Sequence, residues 1–214
     1  MKWLIKITPI VLALCLISTQ AFAHYQPPRK KGGTFFIAEV HSGATWLINC
    51  KELSPQFTLA TTLGFGGKFS NFPMRFYLIG RLGWNYASVH GTDQNPFDMR
   101  RNTLEYSVGL RLLMPIIKGL RIYADFMLGG TSYLSSMKIG NTYYIYKDRS
   151  THGTAFFGGG VQYRFAEWLS VGMHTDVGIP LGEVRFNPLL QMVSITTIDS
   201  AKRVNLLGTL TFHF

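Results

Sequence analysis

The last twelve residues of the chain, 203–214, alternate strictly between two kinds of side chain. One set carries no charge and is mostly apolar: Val204, Leu206, Gly208, Leu210, Phe212 and Phe214. The positions between them are mostly polar, as in Asn205, Thr209, Thr211 and His213. A period of two residues is the pattern of a β-strand whose two faces meet different environments. The chain must therefore fold so that one face of this strand meets an apolar medium and the other a polar one.

The start of the chain has the composition of an export signal. Lys2 and Lys6 supply a positive start, residues 10–17 form a short apolar core, and residues 21–23 (Ala-Phe-Ala) make a small-x-small cleavage site. We therefore predict three segments: a cleaved signal peptide at 1–23, a basic periplasmic tail at 24–33, and one β-barrel domain at 34–214.

The composition favours a barrel that crosses a membrane. After the signal, the longest apolar run is residues 112–117, whereas a membrane-spanning helix needs ~20. Yet 47% of the chain is hydrophobic and only 15% is charged. A closed antiparallel barrel accounts for both, because its outer face meets lipid while its backbone hydrogen bonds close on themselves. Cys50 is the single cysteine after the signal, so no internal disulfide is expected.

The spacing of the alternating segments predicts an up-and-down barrel of eight strands. They are expected at 34–46, 56–69, 75–90, 103–114, 120–134, 153–165, 168–179 and 203–214. Short connections (70–74, 115–119, 166–167) alternate with longer ones (47–55, 91–102, 135–152, 180–202). In outer-membrane barrels the short turns are periplasmic and the long loops external, which would place both termini in the periplasm. Residues 183–198 leave a ten-stranded barrel as an alternative.

The charged residues within these strands support the assignment. Nine of them have the opposite parity to the large apolar residues of their strand: Glu39, Lys68, Arg81, Glu105, Arg111, Arg121, Asp125, Arg164 and Asp176. A charge facing hydrocarbon at mid-depth costs ~2–4 kcal/mol in such barrels. All of them are therefore expected to face the lumen.

Strand positions predict a charge network at one height inside the barrel. Its members are Glu39, His41, Arg81, Glu105, Asp125, His174 and Asp176. We expect Arg81 to lie among the carboxylates, with a surplus of negative charge, and Lys68, Arg111, Arg121 and Arg164 to lie at the lower rim. Buried charges must be paired or neutralised, so structural packing is the first interpretation; a narrow or gated pore for ions or small solutes is the alternative.

Basic residues also gather in the segments expected above the outer rim. They are Arg100, Arg101, Lys138, Lys147, Arg149, Lys202 and Arg203. Arginine is well shaped to pair with phosphate groups. These residues are therefore candidates for contact with lipopolysaccharide, and a merely solvated loop surface is the alternative.

Over residues 34–214 the chain resembles the small eight-stranded outer-membrane barrels of the OmpA/OmpX type. The resemblance lies in the signal, the strand count, the loop asymmetry and the terminal aromatic residue. The assembly signal of such barrels has aromatic or apolar residues at the last position and at alternate positions before it, as at Leu210, Phe212 and Phe214.

The resemblance implies a structural or surface-interaction protein of the Gram-negative cell outer membrane. Its expected partners are outer-membrane lipid and lipopolysaccharide, with periplasmic chaperones and the barrel-assembly machinery during biogenesis; a monomer is expected, with no nucleic acid, cofactor or metal. Some such barrels modify the acyl chains of lipid A with a histidine, a serine and a carboxylate. No histidine here is followed by serine two residues later, so no catalytic residue is assigned, and lipid A modification stays an alternative.

The barrel prediction can be tested on a gel. We expect the purified mature protein to require detergent, to have mainly β circular dichroism, and to migrate differently on electrophoresis before and after heating. Monodisperse behaviour in buffer alone, or a mainly helical spectrum, would contradict the prediction.

Overall fold

The computed structural model describes residues 34–48, 55–68, 74–92, 95–139, 145–182 and 202–214. They form eight strands: β1 (Thr34–Leu47), β2 (Gln56–Lys68), β3 (Arg75–Thr92), β4 (Asn95–Ile117), β5 (Leu120–Ile139), β6 (Ile145–Arg164), β7 (Leu169–Leu181) and β8 (Arg203–His213). Within these ranges no helix is long and apolar enough to span a membrane. The predicted signal peptide and tail, Cys50 and residues 183–198 lie outside the described residues.

The eight strands close into one antiparallel barrel in chain order. In β1, Ala38 pairs with Leu63 of β2 on one side and with Phe212 of β8 on the other. Every strand therefore has two neighbours, and the backbone N–H and C=O groups can be satisfied around the ring. The predicted all-β class and eight-strand up-and-down order are confirmed.

The terminal alternation of the sequence is the inside-outside alternation of β8. Asn205, Leu207 and Thr209 are buried, and Leu206 and Leu210 are exposed on the outer surface. The outward side chains of such a barrel face lipid and are exposed in the protein by itself, so the buried residues are those that face the lumen.

Strands β4, β5 and β6 are longer than the sequence predicted. Most of residues 91–102 and 135–152, which were expected to be loops, are paired strand: Ser88 faces Arg100 across β3 and β4, and Leu134 faces Arg149 across β5 and β6. The prediction was wrong because polar outward residues were taken to indicate loops. Beyond the lipid, a strand needs only a paired backbone and a packed inner face.

The two ends of the barrel differ. At the end called here the turn end, residues 118–119 join β4 to β5 and residues 165–168 join β6 to β7. Gly119 has a φ of 85°, a conformation that glycine adopts without steric cost. At the opposite end, called the hairpin end, β3 to β6 continue as long paired hairpins.

Aromatic side chains form two groups on the outer surface. At the turn end Phe36 contacts Phe214, with ring centroids 5.6 Å apart, and Trp168 stacks on Phe212 at 6.3 Å. Towards the hairpin end there is a row of three rings, Phe57, Trp84 and Tyr86. Aromatic residues take these positions at the two interfaces of outer-membrane barrels.

The apolar part of the core lies inside the barrel towards the turn end. Its buried cluster consists of Ile37, Tyr77, Ile79, Leu113, Tyr123, Met127 and Phe156. Side chains of this size fill the interior of an eight-stranded barrel.

The outward apolar surface makes a depth-dependent prediction. Leu110 is exposed and lies between Leu78 and Phe126 on the neighbouring strands. In lipid vesicles we expect Leu110→Arg to lower the free energy of unfolding by ~2–4 kcal/mol, and the matched change Ile117→Arg at the end of β4 by only about 0–1 kcal/mol. Denaturant titration of tryptophan fluorescence measures both, and equal losses would contradict a lipid-facing belt.

Candidate functional site in the barrel lumen

The middle of the lumen is built around Arg111 of β4, which is 1% exposed. Its Nε and Nη2 donate to the two carboxylate oxygens of Asp125, at 2.7 and 2.8 Å. Its Nη1 lies 2.6 Å from Oε1 of Glu39, and its Cζ lies 4.1 Å from the ring centroid of Tyr123. The two-pronged bond to Asp125 uses the fork geometry that suits guanidinium and carboxylate. One side chain thus links β1, β4 and β5.

Asp176 of β7 is the second centre. Its Oδ2 accepts a hydrogen bond from Nη1 of Arg81 and lies 2.9 Å from Nε2 of His174. Its Oδ1 accepts from the Asn205 side chain at 2.7 Å. His174 stacks on the ring of Tyr123, with centroids 5.7 Å apart, and its Nδ1 is 3.1 Å from the tyrosine hydroxyl. Both carboxylate oxygens of Asp176 are therefore bonded, and the contacts join β3, β5, β7 and β8.

A third centre, Glu105, lies closer to the hairpin end. Its Oε1 accepts from the amide of Asn85 and is 3.1 Å from Nε of Arg203. Arg203 also donates from Nη2 to the Thr131 hydroxyl at 2.9 Å, and its Cζ lies 4.9 Å from the ring centroid of Phe156. Strands β3, β4, β5, β6 and β8 meet at this pair.

The structure brings together the residues assigned to the lumen from the sequence. All seven are at most 5% exposed: Glu39, His41, Arg81, Glu105, Asp125, His174 and Asp176. His41 Nε2 is 3.0 Å from the Thr62 hydroxyl and 3.4 Å from Glu39. Six belong to the contacts around Arg111 and Asp176, and Glu105 belongs to the third centre.

The expected surplus of negative charge is wrong. Arg111, predicted at the lower rim, and Arg203, predicted at the outer rim, are both 1% exposed and paired with lumen carboxylates. Arg111 is directly opposite Asp125 across β4 and β5. It was expected lower because the strand was predicted to end at 114, whereas it continues to Ile117 and the turn is only residues 118–119. The long stem of Arg203 lets its guanidinium reach Glu105 inside the lumen. With Arg81 and with Arg101, which is also 1% exposed, Arg111 and Arg203 make four buried guanidiniums for the four buried carboxylates of the described residues, Glu39, Glu105, Asp125 and Asp176.

Two of the lipopolysaccharide candidates are likewise misplaced. Arg101 and Arg203 face the lumen, and the Cζ of Arg101 lies 3.8 Å from the ring centroid of Tyr133. Both share the parity of the inward residues of their strands. The loop assignment had concealed this for Arg101, whereas Arg203 already lay at the start of a predicted strand. The exposed candidates are Arg100, Lys138, Arg149 and Lys202; the side chain of Lys147 lies outside what the structure describes.

Several uncharged partners were missed by the sequence interpretation. Tyr123, Asn85, Asn205 and Thr211 each bond to a charged or histidine side chain of the lumen; the Thr211 hydroxyl donates to Glu39 at 2.9 Å. Their signal was inward parity combined with a hydrogen-bonding group, since buried polar groups are normally partnered. Charge alone had been used to select the site.

The interior is filled by these side chains. Inward residues at successive heights, such as Ile37, Arg111 and Thr131, are at most 1% exposed. The lining of an open channel would be accessible to water, so these described parts of the lumen form a packed plug. Among the described residues no group of three His, Cys, Asp or Glu side chains is arranged to hold a metal ion.

Comparison with known proteins places the fold among outer-membrane barrels. No family model and no curated sequence matches the chain. A major outer membrane protein from Thermus thermophilus is similar in structure, with a TM-score of 0.53 and 12% identity over 85% of this chain and 100% of that one. The attachment invasion locus protein Ail of Yersinia pestis, in complex with the heparin analogue sucrose octasulfate, aligns with a TM-score of 0.49 and 10% identity over 86% and 100%. The N-terminal β-barrel domain of Pseudomonas aeruginosa OprF aligns with a TM-score of 0.43 and 14% identity, over 86% of this chain and 100% of that one.

The chain therefore has the fold of the small eight-stranded outer-membrane β-barrels. At these sequence identities the likeness concerns the fold only. The description of the packed lumen rests on the contacts within this chain.

The Arg111 cluster makes a stability prediction. Arg111→Met removes the partner of two buried carboxylates, so we expect the free energy of unfolding to fall by about 3–5 kcal/mol. Arg100→Met, at an exposed position of the same strand, should change it by no more than about 0.5 kcal/mol. In the double variant Arg111→Met with Asp125→Leu, the loss should be smaller than the sum of the single losses. Denaturant titration in detergent measures the free energy of unfolding of both single variants, the double variant and Arg100→Met. Additive losses in the double variant would contradict a coupled cluster.

Proposed function

We propose that this protein is an integral barrel of the Gram-negative cell outer membrane with a structural or surface-interaction role, and that it does not conduct. One observation carries the proposal: a belt of exposed apolar side chains surrounds a lumen packed with paired charges. A belt of this kind is stable in lipid. Because the lumen is packed, contact with other molecules would take place on the outer surfaces. Export with a cleaved signal peptide, residues 1–23, is part of the same proposal.

The hairpin end is the surface offered to other molecules. The paired extensions of β3 to β6 hold its residues on a backbone that is hydrogen-bonded from strand to strand, and rigid scaffolds of this kind position binding loops in many proteins. On the outer side of β5 and β6, Ser132 and Thr151 hydroxyls bond across the strands at 3.0 Å. This support favours a contact surface of fixed shape.

The exposed cations of this end suit a phosphate-rich partner. Lys138 and Arg149 lie on β5 and β6, Arg100 lies on β4, and Lys202 precedes β8. Arg100 is shared with Asp98, at 3.2 Å. The others are candidates to pair with lipopolysaccharide phosphates, for which charge-assisted hydrogen bonds are strong. We propose lipopolysaccharide as the partner of this surface.

Biogenesis and oligomeric state belong to the proposal too. Leu210 faces outward, and Phe212 and Phe214 pack against Trp168 and Phe36 at the turn end. Such a lipid-side row is suited to recognition by the barrel-assembly machinery after periplasmic chaperones release the chain. Since β1 pairs with β8, the described barrel needs no second copy to satisfy an edge, which supports a monomer.

The alternative functions have less support. A narrow pore would require displacement of side chains such as Arg111, which is held by Asp125 and Glu39. A lipid A acyl-modifying enzyme needs its nucleophile at the lipid boundary, whereas His41 and His174 are buried in the lumen. The packed lumen therefore favours a non-conducting barrel, and neither His41 nor His174 lies where acyl chemistry would need it.

Removal of exposed charge tests the surface role. We expect Lys138→Gln with Arg149→Gln to weaken binding of fluorescent lipopolysaccharide to the protein in nanodiscs roughly fivefold, about 1 kcal/mol for two exposed contacts. Lys68→Gln with Lys118→Gln removes the same charge at the turn end and should leave binding unchanged. Unchanged binding in the first variant, or an equal loss in the second, would contradict the proposal.

A further inference from the structure

Three arginines from three strands meet at the turn end of the lumen. Arg75 begins β3, Arg121 is the second residue of β5, and Arg164 ends β6. Arg121 is repelled by both Arg164 and Arg75, and Arg164 is repelled by Arg75 as well, although Glu167 in the β6–β7 turn attracts it. Like charges are brought together at this end, in contrast to the paired charges in the middle of the lumen. Such an arrangement is stabilised by a bound anion.

Two of these guanidiniums are held in place by the barrel wall. The Cζ of Arg75 lies 4.3 Å from the ring centroid of Phe35, a cation–π contact. Arg164 donates from Nε to the backbone oxygen of Ala166 at 3.0 Å. Ordering these groups in advance lowers the entropy that a ligand would have to overcome.

Buried polar atoms without partners lie beside the arginines. Gln162 is directly opposite Arg121 across β5 and β6 and is 1% exposed, yet neither its Nε2 nor its Oε1 has a hydrogen-bond partner among the described residues. The same holds for the hydroxyl of Tyr77, close enough to act electrostatically on both Arg121 and Arg164, and for Nη1 of Arg121. Buried polar atoms are normally paired, so these atoms are able to bond to a ligand that enters beside the arginines.

We propose that this end of the lumen binds a phosphate group, held by Arg75, Arg121 and Arg164 together with Tyr77 and Gln162. Phosphate oxygens accept from guanidinium forks, from a phenol and from an amide N–H. A hydrogen phosphate can also donate its hydroxyl to Oε1 of Gln162, and the glycerol hydroxyls of a phosphatidylglycerol headgroup can do the same. The group comes either from a free phosphate or from a phospholipid headgroup.

Two probes distinguish the two sources. The folded protein in a neutral detergent is titrated calorimetrically with inorganic phosphate and, separately, with a short-chain phosphatidylglycerol. Binding of inorganic phosphate identifies a free anion as a sufficient ligand; binding of phosphatidylglycerol alone identifies the headgroup. In either case Arg121→Gln should weaken binding at least about tenfold, the effect of losing a charge-assisted hydrogen bond.

The control is Lys118→Gln, an exposed cation in the β4–β5 turn, which should bind the probes like the unaltered protein. A second readout guards against misfolding: without phosphate, Arg121→Gln relieves repulsion and should unfold at a denaturant concentration no lower than the unaltered protein. Added phosphate should raise the midpoint of the unaltered protein more than that of the variant, since the general stabilisation by phosphate is the same in both. Arg75→Gln should repeat the result.

Two outcomes would overturn the site: no binding of either probe, or equal binding by Arg121→Gln and Lys118→Gln. The turn end lies opposite the surface assigned to lipopolysaccharide. Failure there and failure here are therefore separate results.

Discussion

The pairing of β1 with β8 is the constraint on which the rest of the structure depends. Once the ring is closed, the backbone can bond to itself and the strands can tolerate lipid on one side. Closure also commits alternate residues to the inside, where eight strands leave room for side chains but not for a wide channel. The apolar belt and the ionic interior are thus two results of one geometric condition. Neither could exist on an open sheet in lipid.

Inside the ring, buried charges from different strands form ion pairs. Arg111 bonds to Asp125 and Glu39, whereas Arg81 bonds to Asp176. Removing a charge from water costs several kcal/mol, and the cost is recovered only with good geometry and further hydrogen bonds. Tyr123, Asn205 and Thr211 supply such bonds. The middle of the interior is therefore held together by ion pairs and polar side chains, with an apolar cluster towards the turn end.

Alternation in the sequence was sufficient for the fold and for the face of each residue. It predicted eight strands in the observed order, and it assigned Glu39, Asp125 and Asp176 to the inside, where they are buried. It placed the β4–β5 turn at 115–119 instead of 118–119, so Arg111 was expected below Asp125, its direct cross-strand partner. It also did not reveal that the Arg203 side chain extends inward to Glu105. Nor could it give the length of β4 to β6, because hydropathy reports where lipid ends and the hairpins continue beyond that level. Neither the bounds of a turn nor the length of a hairpin is encoded by the two-residue alternation.

The order in which the lumen bonds can form follows from their separation along the chain. Arg111 and Asp125 belong to one hairpin, 14 residues apart, whereas Arg81 and Asp176 are 95 apart and Glu39 and Thr211 are 172 apart. Since an uncompensated charge is costly in hydrocarbon, it matters that the Arg111–Asp125 pair can form within the β4–β5 hairpin, although Glu105 of that hairpin has its partner, Arg203, in β8. Arg81 and Asp176 have to wait for distant strands. We therefore expect the central hairpin to lead insertion, with the seam between β1 and β8 sealing last.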